Sequence, residues 1–432
     1  MILNEIESAK REDIEKLQLK RLKEVVRRVY SLSPFYRQKF DKLGIKPDDV
    51  KTLEDIQKLP FTKKQDLRDN YPFGLFTVPM SEVVRIHSSS GTTGKPTVVG
   101  YTKHDMDVWN EVIMRTYVAG DVTSKDVVHN AYGYGLFTGG LGFHEAAQKI
   151  GATIVPASGG FTDRQLMLMR DFGATILCCT PSFALHLAEV ARKEGPEFRK
   201  DYKLRAGFFG AEPTSEGLRM EVAKMWDIEY YEVYGLSEII GPGVAFGCNK
   251  GVGLHINEDH FYPEIIDPKT GEVLPEGEVG ELVLTTLTKQ ALPIIRYRTG
   301  DITRLYREPC ACGRTTVRME SISGRVDDML IINGVNVFPS QIEHVIANSE
   351  GVTLNYQIIA DKKGYLDKLE IMVEVSDEIM MDNVAKLEKI KKDLQSALLN
   401  NLYINTNVIL VEPNTIERSM GKAVRIIDKR KG

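Results

Sequence analysis

Cysteine and net charge are both scarce in this chain of 432 residues, and each shortage removes a class of protein. Five cysteines in such a length cannot form the disulfide framework of a small secreted domain. The near balance of 56 Lys+Arg against 60 Asp+Glu leaves a net charge of -4, which argues against a nucleic-acid binder, whose affinity needs a basic surface. No run approaches the roughly 18 uninterrupted apolar residues of a membrane span. The start, MILNEIESAKREDIEKLQLK, turns polar and charged from Asn4 onward and has no apolar h-region. Internal repeats and low-complexity segments are also missing. These absences point to a soluble cytoplasmic protein with small-molecule partners, without nucleic acid or membrane. Size imposes no obstacle to a core, since a chain this long buries roughly three quarters of its surface and divides into two or three domains.

What is present is a change of grammar along the chain. Between about Asp105 and Glu238 short apolar runs alternate with helical periods: VVHNAY (127–132), ATIVPAS (152–158), ATILCCT (174–180), LRAGFFG (204–210) and EYYEVYG (229–235), separated by stretches such as 182–195 and 215–227. Such alternation implies parallel sheet covered by helices. After Gly241 the period becomes two around the turn DPKTG (267–271), which reads as antiparallel β. Near Asp328 a third regime begins, with strands, a helix over QIEHVIANS opened by a Ser340–Glu343 capping box, and a long helix over 383–402, as in a small α+β domain. The expected architecture is a large α/β domain, 1–327, with a small antiparallel part, followed by an α+β domain, 328–432. The basic stretch LQLKRLKEVVRRVY (17–30) reads as a solvated helix face.

The densest chemical signal is Ser88-Ser89-Ser90-Gly91-Thr92-Thr93-Gly94-Lys95-Pro96-Thr97. Glycines let the backbone close on a polyanion, hydroxyls donate to it and Lys95 adds a cation, so the run suits phosphate binding. A Walker A loop is excluded, because Gly91 and Gly94 are too close and Pro96 follows Lys95. On composition alone an exposed Ser/Gly linker stays open as the alternative. Cysteine placement carries a second signal. Cys178 and Cys179 lie in an apolar strand and read as buried thiols. Cys248, His255, Cys310 and Cys312, the last two in PCACGR, stand in turn-like segments, and three thiolates with one imidazole make a closed tetrahedral zinc site. Four unrelated residues are the alternative.

SSSGTTGKPT resembles the phosphate loop of the adenylate-forming superfamily of acyl-CoA synthetases, luciferases and adenylation domains. Four further motifs follow in the same order: Tyr234-Gly235-Leu236-Ser237-Glu238, Tyr297-Arg298-Thr299-Gly300-Asp301, Gly324-Arg325-Val326-Asp327-Asp328 and Gly421-Lys422. More narrowly, the segments 60–76, 131–142, 210–213, 234–245 and 332–343 are similar to phenylacetate-coenzyme A ligases. The resemblance implies ATP-dependent conversion of an aryl acid to its adenylate and then to the coenzyme A thioester, in aromatic catabolism. It also implies a homodimer. An acceptor thiol on a carrier protein, or a different acid, is the alternative, while intact Glu238, Asp301 and Lys422 speak against a catalytically silent nucleotide-binding protein.

Carried onto this sequence, the resemblance assigns ATP to Ser89, Ser90, Gly91, Thr92, Thr93, Gly94, Lys95, Gly210, Ala211, Glu212, Pro213, Tyr234, Gly235, Ser237, Asp301 and Arg325. Glu238 is a hard oxygen ligand suited to Mg²⁺ on the phosphates, and Asp301 is an acceptor for two ribose hydroxyls. Lys422 is the catalytic lysine, whose ammonium would stabilise charge gained at the transition state. Asp327 is the hinge about which the small domain turns between half-reactions. The acid pocket is expected from Tyr132, Tyr134, Phe137, Phe143, Gly210 and Ala211. Phe143 departs from the family, which tends to have a small residue there, and a tighter pocket is the consequence. Glu145, Ala146 and Thr214 depart as well, standing where relatives tend to have Tyr, Gly and Trp.

Overall fold

The computed structural model describes residues 1–89, 96–195, 197–326, 330–333, 335–363, 366–376, 379, 384–418 and 425–431. The runs Ile176–Cys179 and Ala206–Gly210 are buried at every position, as strands covered on both faces must be. They sit in a nine-stranded sheet. Val127–Asn130 pairs in parallel with Thr153–Val155 and with Ile176–Cys179, followed by Ala206–Gly210 and then Glu229–Leu236, all parallel. At Gly241 the direction reverses as the sequence implies: Gly241–Gly247 runs antiparallel to Glu229–Leu236 and to Leu254–Ile256.

Successive residues on a strand point to opposite faces, and Phe208 and Phe209 show the result. Phe208 enters a core with Trp109, Tyr117 and Phe143 under the helices Lys103–Ala119 and Thr138–Ile150. Phe209 enters a second core with Phe183 and Trp226 under Pro181–Arg192 and Glu216–Trp226. Two strands stop earlier than their apolar runs. Val127–Asn130 ends where the Asn130 amide donates to the Gly140 carbonyl at 2.7 Å and to the Tyr134 hydroxyl at 2.8 Å. Thr153–Val155 ends before Pro156, which has no N–H for a ladder.

The antiparallel part is the hairpin Phe261–Ile266 with Gly280–Thr286, extended by Tyr297–Thr303 and Gly324–Arg325. Within the turn expected at 267–271, Asp267 Oδ1 accepts from the backbone N–H of Lys269 and Thr270 at 2.7 and 2.8 Å. The small C-terminal α+β domain has the hairpin Val352–Lys363 with Leu366–Val375, flanked in parallel by Ile426–Asp428 and Asn407–Val411. Helices Pro339–Ala347 and Val384–Leu402 pack on it.

The expected capping box at Ser340 and Glu343 does not form. Pro339 starts the helix, so Ser340 already lies in its first turn, and the Gln341 side chain accepts from Phe338 N–H at 2.9 Å. Glu343 reaches away instead, accepting from Tyr356 Oη at 2.6 Å and from Ser215 N–H of the large domain at 3.2 Å. The basic N-terminal helix, Arg11–Leu32, buries the stripe Ile14, Gln18, Leu22, Val25, Val26 and Val29. Its basic residues form only in part the solvated face expected, since Lys20 and Arg27 are exposed whereas Arg21 pairs with Asp259 at 3.5 Å and Arg28 Nε donates to Thr77 Oγ1 at 3.0 Å. No helix among the described residues is long and apolar enough to cross a membrane.

Candidate active site

The parallel strands deliver their C-terminal ends to one region, where two glycines permit unusually close approach. A Cβ at Gly210 would stand 2.1 Å from the Val233 carbonyl oxygen, and one at Gly235 would stand 2.0 Å from that of Gly241. Immediately after Gly210, Ala211 is held at φ +70°. A side chain in that region costs about 1–3 kcal/mol and persists where surrounding structure imposes it. Glu212 follows and accepts from Ser182 N–H at 3.1 Å and Ser182 Oγ at 2.8 Å, at the start of the helix Pro181–Arg192.

Antiparallel pairing places Asp301 directly opposite Arg325. Arg325 Nη1 lies 2.8 Å from Asp301 Oδ1, and Tyr234 Oη donates to Asp301 Oδ2 at 2.6 Å. Asp301 is thus a buried carboxylate gripped on both oxygens. Burial of the Tyr234 hydroxyl, and then the Asp301 charge, push its pKa well above the ordinary phenol value, so it stays a donor. Three separate sequence motifs meet in this triad.

Glu238 lies in the turn 237–240 that follows the strand Glu229–Leu236. It is 6% exposed, and its Oε1 lies 3.4 Å from Thr97 Oγ1 and 3.8 Å from Lys64 Nζ. Thr97 ends the Ser/Gly-rich loop, so Glu238 faces that loop's base. Ser89 N–H pairs with the Thr97 carbonyl at 3.0 Å, and Ser89 Oγ accepts from Thr97 N–H at 3.0 Å, closing the loop's two ends. Ser90, Gly91, Thr92, Thr93, Gly94 and Lys95 lie outside the described residues, as do Asp327, Gly421 and Lys422. Thr97 and Lys64 as neighbours of Glu238 were missed in the sequence. Thr97 could have been found from its place in the loop, whereas Lys64 carries no local signal.

Beside this turn is a cavity of about 150 Å³, lined in part by Tyr132, Phe137, Phe143, Gly210, Ala211 and Ser237. Tyr132 and Phe143 stack at 5.1 Å with planes 6° apart, and Tyr117 meets Phe143 edge-on at 5.8 Å. Five of the six residues expected for the acid pocket therefore converge. Tyr134 does not line the cavity: its hydroxyl is taken by Asn130 at 2.8 Å and His144 Nδ1 at 3.1 Å. Among the departures, Glu145 is accounted for by an ion pair with Arg85.

The four zinc candidates come together remotely from this turn, on the antiparallel edge of the large sheet. Pairing of Arg318 with His255 brings the CACG turn to the imidazole. The donor atoms of Cys248, His255, Cys310 and Cys312 all lie within 4.8 Å of one another. Cys248 and Cys310 sulfurs are 3.5 Å apart, and His255 Nε2 is 3.3 Å from Cys248 Sγ and 3.4 Å from Cys312 Sγ. Tetrahedral zinc–sulfur and zinc–nitrogen bonds imply edges of about 3.5 to 3.8 Å, so the donor set fits the ion. His255 Nδ1 is 3.2 Å from Thr316 Oγ1, a partner that orients the ring. A hydrogen bond from Cys248 holds the Cys312 thiol far below the ordinary thiol range.

Comparison with known proteins decides the family. The model for the AMP-binding enzyme matches residues 25–287, and that for the AMP-binding enzyme C-terminal domain matches 334–430. The phenylacetate-coenzyme A ligase of Thermus thermophilus is 49% identical, with 99% of each chain covered. That of Escherichia coli is 47% identical over 99% of this chain and 98% of its own. This chain belongs to the phenylacetate-coenzyme A ligase family. As a member of that family it is an AMP-forming acid–CoA ligase, activating a carboxylic acid with ATP as the acyl-adenylate before transfer to coenzyme A. Its fold matches 2-hydroxyisobutyryl-CoA ligase in the postadenylation state with R3-HIB-AMP at TM-score 0.92, 29% identity, 98% coverage of this chain and 91% of that one. The same enzyme in the thioesterification state, with 2-HIB-AMP and CoA, matches at only 0.71.

Proposed function

We propose that this family member activates a compact aryl acid of phenylacetate size, with the acid in the cavity beside Tyr132 and Phe143 and the nucleotide along Gly210–Pro213, Tyr234–Glu238, Asp301 and Arg325. One observation carries the reading: Ser237 belongs both to the cavity wall and to the turn that holds Glu238, so acid and phosphates share a border. Asp301, with its two donors, is oriented for paired ribose hydroxyls. Glu238 and Thr97 offer hard oxygens suited to Mg²⁺, which when bound neutralises phosphate charge. In the first half-reaction a carboxylate oxygen of the acid attacks the α-phosphorus, the bond to the bridging oxygen of pyrophosphate breaks, and pyrophosphate leaves. Lys422, as a donor to the developing charge, belongs to this step. In the second, the thiolate of coenzyme A attacks the acyl carbonyl, AMP leaves with its oxygen, and the thiol proton goes to solvent or base.

The likeness to a postadenylation state supports a small domain that rests in the arrangement of the first half-reaction and turns about Asp327 for the second, with the boundary between 327 and 328. A structural zinc on Cys248, His255, Cys310 and Cys312 completes the reading, as does a cytoplasmic homodimer. Acid-dependent pyrophosphate release, with and without coenzyme A, across aryl and alkyl acids tests it. Compact aryl acids should release pyrophosphate fastest and yield thioester only with coenzyme A. Equal rates with alkyl acids would remove the aromatic cavity from the acid site.

A further inference from the structure

Lys289 is a cation buried to 3% exposure just beyond the strand Gly280–Thr286, and no part of the reaction described above uses it. Its ammonium donates to the Ile239 carbonyl at 2.7 Å and stands 3.4 Å from the Glu238 carbonyl. It also lies 4.7 Å from the centre of the Tyr101 ring, and Tyr101 Oη donates to the next carbonyl, that of Ile240, at 3.0 Å. Two side chains thus fasten three consecutive carbonyls from beneath the turn. The segment bearing Lys289 is itself fixed: buried Asp105 accepts from Gln290 N–H at 2.6 Å and Ala291 N–H at 2.9 Å.

Burying an ammonium is costly, and an apolar side chain of similar length would pack the same space. What only the ammonium provides is several donors at one point, aimed at adjacent main-chain acceptors. From the main chain fastened in this way, the Glu238 carboxylate reaches Thr97 Oγ1 at 3.4 Å. We propose that Lys289 is a positioning residue for nucleotide activation, holding the main chain of 238–240 so that the Glu238 carboxylate faces the base of the phosphate loop. This rests on the reading of Glu238 as the Mg²⁺ ligand.

The test compares the wild type, Lys289→Met, Lys289→Gln and Glu238→Gln. Two quantities are read: the free Mg²⁺ concentration for half-maximal acid-dependent pyrophosphate release, and the rise in melting temperature given by MgATP over ATP without metal. Lys289→Met should raise the Mg²⁺ requirement about tenfold, the worth of one charge-assisted hydrogen bond, and shrink the MgATP-specific thermal shift, with the KM for the acid nearly unchanged. Lys289→Gln, which retains a donor, should fall between Met and wild type. It also decides the matter if the Met variant fails to fold. Unchanged Mg²⁺ dependence in the Lys289 variants, beside a shifted one in Glu238→Gln, overturns this inference alone. If Glu238→Gln leaves the Mg²⁺ dependence unaltered, the underlying reading of Glu238 fails instead.

Discussion

Phe143 offers the sharpest perturbation, because its ring serves two structures at once. One face stacks on Tyr132 at 5.1 Å and its edge meets Tyr117, yet the ring also borders the 150 Å³ cavity. Truncating a buried Phe to Ala costs about 3–5 kcal/mol. With unfolding entropy near 2.1 cal/mol/K per residue, that corresponds to a melting temperature lower by about 3–6 °C if the chain unfolds as a unit. The same truncation enlarges the cavity. Crowding a packed site with extra atoms costs about 1–3 kcal/mol, so relief of that crowding should raise kcat/KM for indole-sized or para-substituted acids, relative to phenylacetate, by about 5- to 150-fold. Discrimination is differential transition-state binding, so the KM values for ATP and coenzyme A should hardly move. The assay is one acid panel and one thermal melt on Phe143→Ala, with Phe143→Leu as a milder control. Lost stability with an unchanged ranking of acids would refute the reasoning, since it would confine Phe143 to the core.

Three further outcomes are expected. Lys422→Ala should slow adenylate formation by about 10²- to 10³-fold while sparing thioester formation from supplied acyl-adenylate; equal loss in both half-reactions, measured separately, would contradict the assignment. Purified protein should carry close to one zinc per chain by elemental analysis, and Cys312→Ser should lower the melting temperature far more than it changes the KM for ATP. Buried His129 has a pKa pushed down to about 4 by desolvation, against the Gln165 hydrogen bond that raises it. A base depressed below its unfolded value of about 6.5 binds a proton more readily in the unfolded chain. Its contribution is therefore present above pH 6.5 and lost as pH falls toward 4, on the order of 3 kcal/mol in all. His129→Leu should flatten urea-derived stability across that window, and an unaltered slope would count against the assignment.

The strands were legible because burial on both faces turns a strand into an uninterrupted apolar run, and Ile176–Cys179 and Ala206–Gly210 are such runs. Their ends were not. Asn130 stops its strand through contacts with residues up to ten positions away, which no local window contains. The Ser340–Glu343 pair illustrates the opposite error. It has the right spacing for a capping box, but Pro339 fixes the helix start two residues earlier and frees Glu343 to reach Tyr356 and Ser215. Local chemistry proposed one partner, and tertiary packing supplied a better one.

At the candidate site the legible part was chemistry carried by contiguous motifs, and the illegible part was what holds those motifs in register. Tyr234, Asp301 and Arg325 were each visible, but their union depends on the Asp301–Arg325 pairing and on a tyrosine contributed by a different sheet. The cysteine cluster is similar: PCACGR announces itself, yet its approach to His255 follows from a two-residue ladder between Arg318–Met319 and Leu254–Ile256. The turn is then tied to the chain's beginning, where Arg314 meets Glu7 at 2.7 Å, both nearly fully buried. Removing one partner of such a pair strands a buried charge, typically at about 3–5 kcal/mol. Loss of order at the cluster would therefore extend to the first residues of the chain. Residues that act on substrate recur in motifs because the chemistry dictates their type. The residues that support them, such as Lys289, Lys64 and Glu7, need only reach the right atom, and many sequences satisfy that requirement.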